Sequence, residues 1–504
     1  IFQDPIHGPM ELHPLCVSII DTPHFQRLRN LKQLGACYQV FSGASHNRFE
    51  HSLGVCHLAG ILVQNLRTQQ PELDISNTDV LCVMVAGLCH DLGHGPLSHM
   101  FDGCFIPRIR PGFEWTHEKG SIKMLQHLIE QSQAVKDQLE RYEISGTDIL
   151  FIKEIIDGPQ VKRSLEIRFV FSFFSFLHFQ GDKGYEGREK EKQFLYEIVA
   201  NKRNGIDVDK MDYFARDCHH LGIPNPFDHL RYMEFARVLK VEDHREICLR
   251  DKEVRSMYDM FYTRLSLHRQ AYSHKTNRII EEMLIETLLA ANDHIKFKGK
   301  NNEMLKMSEA IDDMEAYSKI TDSVFELIKL DQRSGIEGLA KAQEILHKVE
   351  CRQLYKYIGQ TNPIAKNMID GEAIPKIQKD IAEVMTEQEL GHPRLSPDRY
   401  VVQLVRFDFG MKEKNPIDQV NFFTKANPDT PIRISKNEVS FLLPDCFQEV
   451  SIRVYCTSSD PADLKVATEC FKKWIEGLEK AQETLHKVRP HLSYACIIPQ
   501  INFI

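Results

Sequence analysis

The sequence predicts a mainly α-helical protein that ends in a smaller α+β lobe. Apolar residues recur at helical spacing between residues 76 and 88, and residues 255–291 form one long amphipathic pattern. Beyond about residue 335 the pattern changes. Two runs there, 400–409 and 449–456, are rich in β-branched residues and are separated by Pro and Asn, as expected of strands.

The length of the chain and its composition support two lobes. At 504 residues the chain is long enough for a large core, and we place a helical domain at 1–335 and the α+β lobe, with a regulatory or oligomerisation role, at 336–504. The net charge of −8 gives no general attraction for nucleic acid, so an anion site must be local. The 13 cysteines are scattered and form no CxxC motif, which favours reduced thiols in an intracellular protein. The first residues lack the pattern of a signal peptide.

One apolar run, residues 167–179, stands apart from the rest of the chain. It is shorter than the roughly 20 residues that span a bilayer, and it contains Arg168 and His178. It could be a buried strand or a hydrophobic insertion. We treat residues 160–185 as an atypical insert and assign it no function.

The helix signals can be read in chain order. Residues 22–23, Thr-Pro, begin a helix that we expect to continue to Gly35. Ser76 and Asp79 form a capping-box pattern that begins a buried helix, and Gly93 helps to end it. A later segment, 338–349, nearly recurs at 477–488. Two copies do not make a solenoid, and we have no physical account of them.

The helix that begins at Ser76 leads into a histidine-rich stretch. It presents an adjacent pair, His90 and Asp91, with His94 and His99 following. Such a pair can simply cap a helix or form an ion pair. Burying an imidazole and a carboxylate together is nevertheless unfavourable unless something satisfies them, and a divalent metal often does.

Two further segments extend this pattern. His51 lies upstream and Asp209 downstream, each in a helix-like segment with other polar groups on the same face. The order His…His-Asp…Asp is that of the HD metal-dependent phosphohydrolases, which this chain resembles.

Other polar residues near these positions allow two interpretations. Arg48 shares a helix face with His51, so it could bind phosphate or could pair with Glu50 or another carboxylate. Glu118 lies in the first turn of a helix, where it suits the helix dipole. Alternatively, His117 is a proton donor and Glu118 fixes its tautomer.

Two helical stripes carry further candidates. Asp209, Tyr213 and Arg216 follow each other at i, i+4 and i+7, which indicates either a solvated face or the wall of a cleft. The pattern at 255–291 carries a basic and aromatic face suited to a polyphosphate and a sugar or base. Its members are Arg264, His268, Arg269, Tyr272, His274 and Lys275.

Five motifs together make the resemblance specific. They are Asp4-Pro-Ile-His-Gly, Gly43-Ala-Ser-His-Asn-Arg-Phe-Glu-His-Ser-Leu-Gly, Gly87-Leu-Cys-His-Asp-Leu-Gly-His-Gly-Pro, Asn201-Lys-Arg-Asn-Gly-Ile-Asp-Val-Asp-Lys and Asp312-Asp-Met-Glu-Ala-Tyr. They resemble the vertebrate SAM- and HD-domain-containing deoxynucleoside triphosphate triphosphohydrolases over roughly residues 3–475. The resemblance implies a mainly α, HD-domain helical metal-dependent phosphohydrolase core with a smaller α+β C-terminal lobe. We expect that family's catalytic core without its SAM domain.

The resemblance also implies an activity and its residues. A dNTP would be hydrolysed to deoxynucleoside and inorganic triphosphate. The implied metal ligands are His51, His90, Asp91 and Asp209. The implied catalytic residues are His117, Glu118, His94, His99 and Arg48. The implied substrate-binding residues are Gln33, Leu34, Arg48, His94, His99, Lys210, Tyr213, Asp217, Arg264 and Tyr272, with Gln33, Leu34, Asp217 and Tyr272 at the sugar.

Activation by nucleotides is implied in the same way, with GTP or dGTP at one site, a dNTP at a neighbouring site, and assembly of a homotetramer. The matching positions for guanine are Asp21, Gln26, Arg29, Arg352, Leu354 and Lys356. Those for the neighbouring site are Val40, Phe41, Arg231, Arg250, Lys252, His274 and Lys275. The chain departs from the family pattern at Gln270, Ser256 and Thr457, where the family has basic or amide groups, and at Ser273, where it has glutamine.

The mixed ligand set allows iron, zinc or manganese at the HD site, with Mg²⁺ on the nucleotide triphosphates. By resemblance we expect a nuclear enzyme, with the cytoplasm as a further location left open, that limits dNTP pools in antiviral innate immunity and DNA repair. We expect no membrane association, whereas single-stranded nucleic acid is a possible partner. Two alternatives stay open, an HD-type phosphodiesterase or nuclease and a non-catalytic nucleotide- or nucleic-acid-binding assembly.

Overall fold

A computed structural model describes residues 1–159, 184–364, 373–440 and 442–488. The apolar run at 167–179 and nearly all of the expected insert at 160–185 lie outside the described residues. None of the helices described combines the length and apolar composition required to cross a bilayer.

The fold is mainly α-helical, as the sequence predicts. Helices of the first half are α1 (Pro14–Ile20), α2 (Pro23–Gln26), α3 (Arg48–Gln69), α4 (Asn77–Cys89), α5 (Ile106–Ile109), α6 (His117–Gln131), α7 (Gln133–Arg141), α8 (Gly146–Asp157), α9 (Val208–Leu221) and α10 (His229–Phe235). Those of the second half are α11 (Val254–Leu267), α12 (Lys275–Ala291), α13 (Met307–Ala310), α14 (Met314–Tyr317), α15 (Val324–Leu330), α16 (Glu337–Glu350), α17 (Ala373–Glu383), α18 (Glu387–Leu390), α19 (Lys436–Val439) and α20 (Pro461–Val488).

The described strands form small sheets. They are β1 (Phe2–Asp4), β2 (Gly8–Met10), β3 (Ala236–Val241), β4 (His244–Arg250), β5 (Lys296–Lys298), β6 (Met304–Lys306), β7 (Lys356–Gln360), β8 (Tyr400–Asp408), β9 (Phe422–Phe423) and β10 (Gln448–Cys456). β1 pairs with β2 and β5 with β6, while the two three-stranded sheets have the orders β7-β10-β8 and β3-β4-β9. The predicted strands at 400–409 and 449–456 are confirmed as β8 and β10, which pair antiparallel from Gln448 opposite Asp408 to Cys456 opposite Tyr400.

The centre of the larger core is the close packing of α3 against α4. A side chain at Gly87 would come within 3.2 Å of the Val55 carbonyl oxygen and 3.3 Å of the Ala59 methyl group. The capping box predicted at Ser76 and Asp79 is present at the start of α4. Because the helices approach so closely, α4 delivers its C-terminal residues directly beside α3.

The C-terminal sheet has a core of its own. Its strands pack against α17 and α20 through buried residues that include Ile381, Ile452 and Phe471. Helix α16, by contrast, buries Leu339 and Ile345 in the larger core. The domain boundary at residue 335 stays a prediction.

Two helix predictions are wrong in extent. The long helix expected over 255–291 is broken, because α11 gives way to a π-turn at His268–Tyr272 in which the Ser273 amide donates to the His268 carbonyl at 2.8 Å. The helix expected to reach Gly35 ends early. A 3₁₀ turn follows α2, and Leu31 is then extended so that its carbonyl accepts the Arg48 amide at 2.9 Å.

Asp79 joins the start of α4 to the segment that follows the insert. It is 2% exposed and accepts from Arg188 Nε at 2.6 Å and Lys192 Nζ at 2.8 Å. Asp79→Asn should lower the free energy of unfolding by about 3 kcal/mol, since the partly buried Lys192 loses its carboxylate and Arg188 keeps only its contact with Asp148. Chemical denaturation measures the change. Asp312→Asn is the control, because its ion pair with Arg110 is exposed and should contribute at most about 1 kcal/mol. Equal effects would contradict the prediction.

Candidate active site

Three of the four predicted metal ligands converge where α3, α4 and α9 meet. His51 Nε2 lies 3.2 Å from His90 Nε2 and 3.1 Å from Asp209 Oδ1, and His90 Nε2 lies 3.5 Å from the same oxygen. Nitrogen and oxygen ligands about 2.1 Å from one ion would be about 3.0–3.4 Å apart. The spacing therefore fits a single divalent metal.

The other ring nitrogen of each histidine is held by an acceptor. His51 Nδ1 is 2.7 Å from Asp212 Oδ2, and His90 Nδ1 is 2.7 Å from the Gly87 carbonyl oxygen. Each Nδ1 therefore carries the proton, which leaves the Nε2 lone pair for a metal. This arrangement is typical of metal-binding histidines, and the donor set suits a divalent metal.

Asp91, the fourth predicted ligand, lies beside this group. Its Oδ1 is 3.4 Å from His90 Nε2 and its Oδ2 is 3.5 Å from His51 Nε2. Arg48 Nη1 donates to Asp91 Oδ2 at 2.6 Å. Burial disfavours the carboxylate, but Arg48 and His90 outweigh that effect and hold the pKa of Asp91 well below its usual range. Two interpretations of Arg48 were left open, phosphate binding and pairing with a carboxylate. In the structure Arg48 pairs with a carboxylate, which is Asp91 and not Glu50.

Sequence reasoning missed Asp212, which anchors His51. This fully buried carboxylate also accepts from His7 Nε2 at 2.6 Å and from Arg216 Nε and Nη2 at 2.9 Å each. Arg216 in turn donates to Asp4 Oδ2 at 2.8 Å. The Asp4-Pro-Ile-His-Gly motif, used from sequence only as part of the family resemblance, was the available signal.

The Asp212 network leaves no room on the neighbouring helix. A side chain at Gly54 would meet Asp212 Oδ1 at 1.9 Å and Arg216 Nη2 at 2.6 Å. Glycine is thus required there for α9 to approach α3.

Negative charge surrounds His51. Burial disfavours the imidazolium, yet the hydrogen bonds to Asp209 and Asp212 dominate and raise the pKa of His51 to about 10. The same carboxylates would favour a divalent cation held by the Nε2 atom of His51.

A second cluster adjoins the first and contains the predicted His94, His99 and His117. The rings of His94 and His117 are stacked with centroids 4.0 Å apart, and His99 lies 4.9 and 5.0 Å from them. Asp91 Oδ1 is 3.2 Å from His94 Nε2, which links the two clusters.

Asp102, which sequence reasoning also missed, completes this cluster. Its Oδ2 is 2.8 Å from His117 Nδ1, whereas Glu118 is 3.6 Å away, too far for a hydrogen bond. The expectation that Glu118 fixes the His117 tautomer is corrected, because Asp102 makes that contact. Burial disfavours the imidazolium, but the Asp102 hydrogen bond and the Glu118 charge together raise the pKa of His117.

Buried polar contacts fix the loop that carries these residues. Arg27 donates to the carbonyls of Leu92 at 3.3 Å and His94 at 2.7 Å. Asp322 accepts the Leu97 amide at 2.7 Å, and burial raises the pKa of this carboxyl to about 6. Leu97 has a φ of 57° and Ser98 a φ of 58°. This left-handed backbone is strained for residues other than glycine, and these contacts hold it in place.

Both clusters open onto a cavity of about 750 Å³. The predicted sugar-contacting residues Gln33, Leu34, Asp217 and Tyr272 all line it. Asp217 Oδ2 accepts from the Tyr272 hydroxyl at 2.5 Å. Gln33 Oε1 is buried without a hydrogen-bond partner among the described residues, so an acceptor is available to a ligand.

Some of the predicted phosphate-binding residues line the cavity and one does not. Lys210 and Tyr213 line the cavity together with Arg48. Arg264 is not in the lining, since its Nη1 donates to the carbonyl and side chain of Asp408 at 2.5 and 2.9 Å. Cationic lining residues that sequence reasoning missed are Lys202, Arg278 and Arg406.

The predicted activator residues form separate groups. Arg29 donates to Gln26 at 2.8 Å, and the Phe41 and His274 rings are 5.9 Å apart. Arg352 donates to the Gln39 carbonyl. Asp21 and Lys356 are exposed, Val40 and Leu354 are partly buried, and Lys275 lies over the Tyr357 ring.

The remaining activator residues lie around β4. Arg231 pairs with Glu253 at 2.6 Å, Arg250 pairs with Asp251 at 2.8 Å, and Lys252 lies over the Phe235 ring. No hydrogen bond, ion pair or ring contact within the described parts of the chain joins these residues to Phe41 or His274.

Comparison with known proteins agrees with this geometry. The HD domain family model matches residues 48–172. The Homo sapiens deoxynucleoside triphosphate triphosphohydrolase SAMHD1 is 52% identical over 94% of this chain and 73% of its own length. The Gallus gallus protein of that name is 49% identical over 98% of this chain and 78% of its own length. A Dictyostelium discoideum SAMHD1 homologue is 35% identical over 98% of this chain and 82% of its own length. The chain therefore belongs to the SAMHD1 family of HD-domain deoxynucleoside triphosphate triphosphohydrolases.

Proposed function

We propose that this protein hydrolyses dNTPs to deoxynucleoside and inorganic triphosphate. The observation that carries the proposal is the metal-ligand cluster of His51, His90 and Asp209, which adjoins an imidazole cluster in one cavity. The names and identities of the relatives support the substrate class. A cavity of about 750 Å³ lies in the usual range for a small-molecule site and can enclose a nucleotide.

In this proposal His51, His90, Asp91 and Asp209 hold a divalent metal, either iron or zinc, with manganese also suited to the ligands. Such an ion lowers the pKa of water and polarises a phosphoryl oxygen when bound. To hold the ion, Asp91 would give up its hydrogen bond with Arg48. Arg48 would then be available to the phosphates, and Mg²⁺ would accompany the triphosphate.

Proton delivery would come from the second cluster. We assign His117 as donor to the leaving oxygen, with His94 and His99 lining the scissile phosphate. Asp102 holds the Nδ1 proton of His117, so Nε2 is the atom from which a proton can reach the substrate. Glu118 adds negative charge that favours the protonated ring.

The rest of the cavity would bind the nucleotide. Lys210 and Tyr213 would contact the triphosphate with Arg48, as cationic and hydroxyl donors suit phosphate oxygens. Arg264 would contribute only after exchanging its bond to Asp408. The sugar would lie against Gln33, Leu34, Asp217 and Tyr272.

The finer properties are also proposals, supported by family membership. One is activation by GTP or dGTP at one site and by a dNTP at a neighbouring site. A second is a homotetramer, in which the separate groups of activator residues come together. A third is a nuclear role in limiting dNTP pools. We likewise propose that residues 336–504 are the lobe that serves regulation and assembly.

Product analysis tests the chemistry and its regulation. Protein incubated with dATP and metal should release inorganic triphosphate and deoxyadenosine, and only when GTP is added. Anion-exchange chromatography separates triphosphate from pyrophosphate. Triphosphate without GTP would contradict the regulation alone, whereas pyrophosphate, monophosphate or no product would contradict the proposed reaction.

Metal binding should depend on both the ligands and the residue behind them. Asp209→Ala should lose bound metal and turnover. Asp212→Asn should lower metal affinity by about 10–100-fold, because His51 loses the carboxylate that orients it, and added metal should restore turnover. Elemental analysis and metal titration measure both effects, with Asp137→Asn on exposed α7 as control. Unchanged metal content in Asp209→Ala would refute the assignment.

The pH dependence should report His117. Because the protonated ring is the active form, kcat/KM falls as pH rises through its pKa. Asp102 raises that pKa. Asp102→Asn should therefore move the loss of activity to lower pH, and Glu118→Gln should move it less, since Glu118 makes no hydrogen bond to the ring. If kcat/KM fell over the same pH range in the wild-type protein and in both variants, His117 would not be the proton donor.

A further inference from the structure

His46 joins the residues of the proposed sugar site. It lies in the motif that begins at Gly43 and has no role in the proposed mechanism. Its ring Nε2 is 2.7 Å from Asp217 Oδ1, and its carbonyl oxygen accepts the Gln33 amide at 3.0 Å. The other Asp217 oxygen accepts from the Tyr272 hydroxyl at 2.5 Å. One residue thus contacts two sugar-site residues directly and a third through Asp217.

The protonation of this ring follows from its partners. A carboxylate only accepts, so the proton lies on Nε2 of His46. Nδ1 is buried and has no hydrogen-bond partner among the described residues. The ring stacks on His220, with centroids 4.3 Å apart and planes 13° apart. His46 is 3% exposed, so its orientation is fixed by packing as well as by the hydrogen bond.

We propose that His46 is a positioning residue that makes the sugar site selective for deoxyribose. The inference rests on the proposed function. By fixing Asp217, His46 fixes the Tyr272 hydroxyl, and the Tyr272 ring becomes a rigid wall of the cavity. Rejecting one additional hydroxyl is difficult for a wall that can move, because a pocket that relaxes accommodates the larger sugar.

The neighbouring amide supports a hydroxyl-binding role. Gln33 is 6% exposed, lines the cavity and has its Oε1 unpaired among the described residues, so this oxygen can accept from a sugar hydroxyl. The His46 carbonyl holds the backbone of Gln33 in place. The backbone of His46 therefore positions Gln33, and its side chain positions Asp217.

Sugar discrimination tests the inference. The ratio of kcat/KM for dATP to that for ATP, measured as triphosphate release with saturating GTP, should fall about tenfold in His46→Leu, which removes a hydrogen bond to a charged group. His46→Gln places an amide N–H near the position of Nε2 and should retain most of the ratio. His220→Phe keeps an aromatic face against His46 and should leave the ratio unchanged.

Other outcomes would overturn the inference. An unchanged ratio in His46→Leu, or equal loss on dATP and ATP in His46→Leu and His220→Phe, would show that His46 is only structural. If His46→Leu does not fold, His46→Asn replaces it, since this shorter amide does not reach Asp217, and equal ratios in the Asn and Gln variants would refute the inference. Failure of the wild-type protein to release triphosphate from any dNTP would overturn the proposed function as well.

Discussion

The hydrogen bond between Asp212 and His51 is the interaction on which the arrangement of the site depends. It joins α9 to α3 at 2.7 Å and fixes the histidine tautomer that can bind a metal. Asp212 would be unfavourable in this interior by itself, because a buried carboxylate needs compensation. Arg216 and His7 supply it, and the Arg216 guanidinium also donates to Asp4. The N-terminal turn is therefore part of the support of the metal ligands.

The two clusters of the cavity are electrostatically coupled. Asp91 contacts the metal-ligand group on one side and His94 on the other. Arg48 at 2.6 Å holds Asp91 ionised, while Asp102 holds a proton on His117. The second cluster thus places a protonated imidazole beside the metal-ligand group. Hydrolysis with acid assistance requires such a proton donor next to the site of attack.

Much of the fold could be predicted because its signals are local. The capping box at Ser76 and the β-branched run at 400–409 are contained within a few residues, and the helix start and the strand that they predict are both confirmed. Asp102 was missed because it lies in a π-turn, where helical spacing does not apply. Asp212 was missed because its partner network reaches Asp4, which is distant in sequence. Arg264 satisfied the helical pattern, but the bond to Asp408 formed only through tertiary packing.

Strand β8 contributes Leu404, Val405 and Arg406 to the lining of the catalytic cavity. The residues expected to carry the chemistry all precede this strand by more than a hundred positions. A substitution that weakens the C-terminal sheet would therefore reshape one wall of the cavity while every ligand and proton donor stays intact. The shape of the nucleotide cavity thus depends on a part of the chain that bears no catalytic motif.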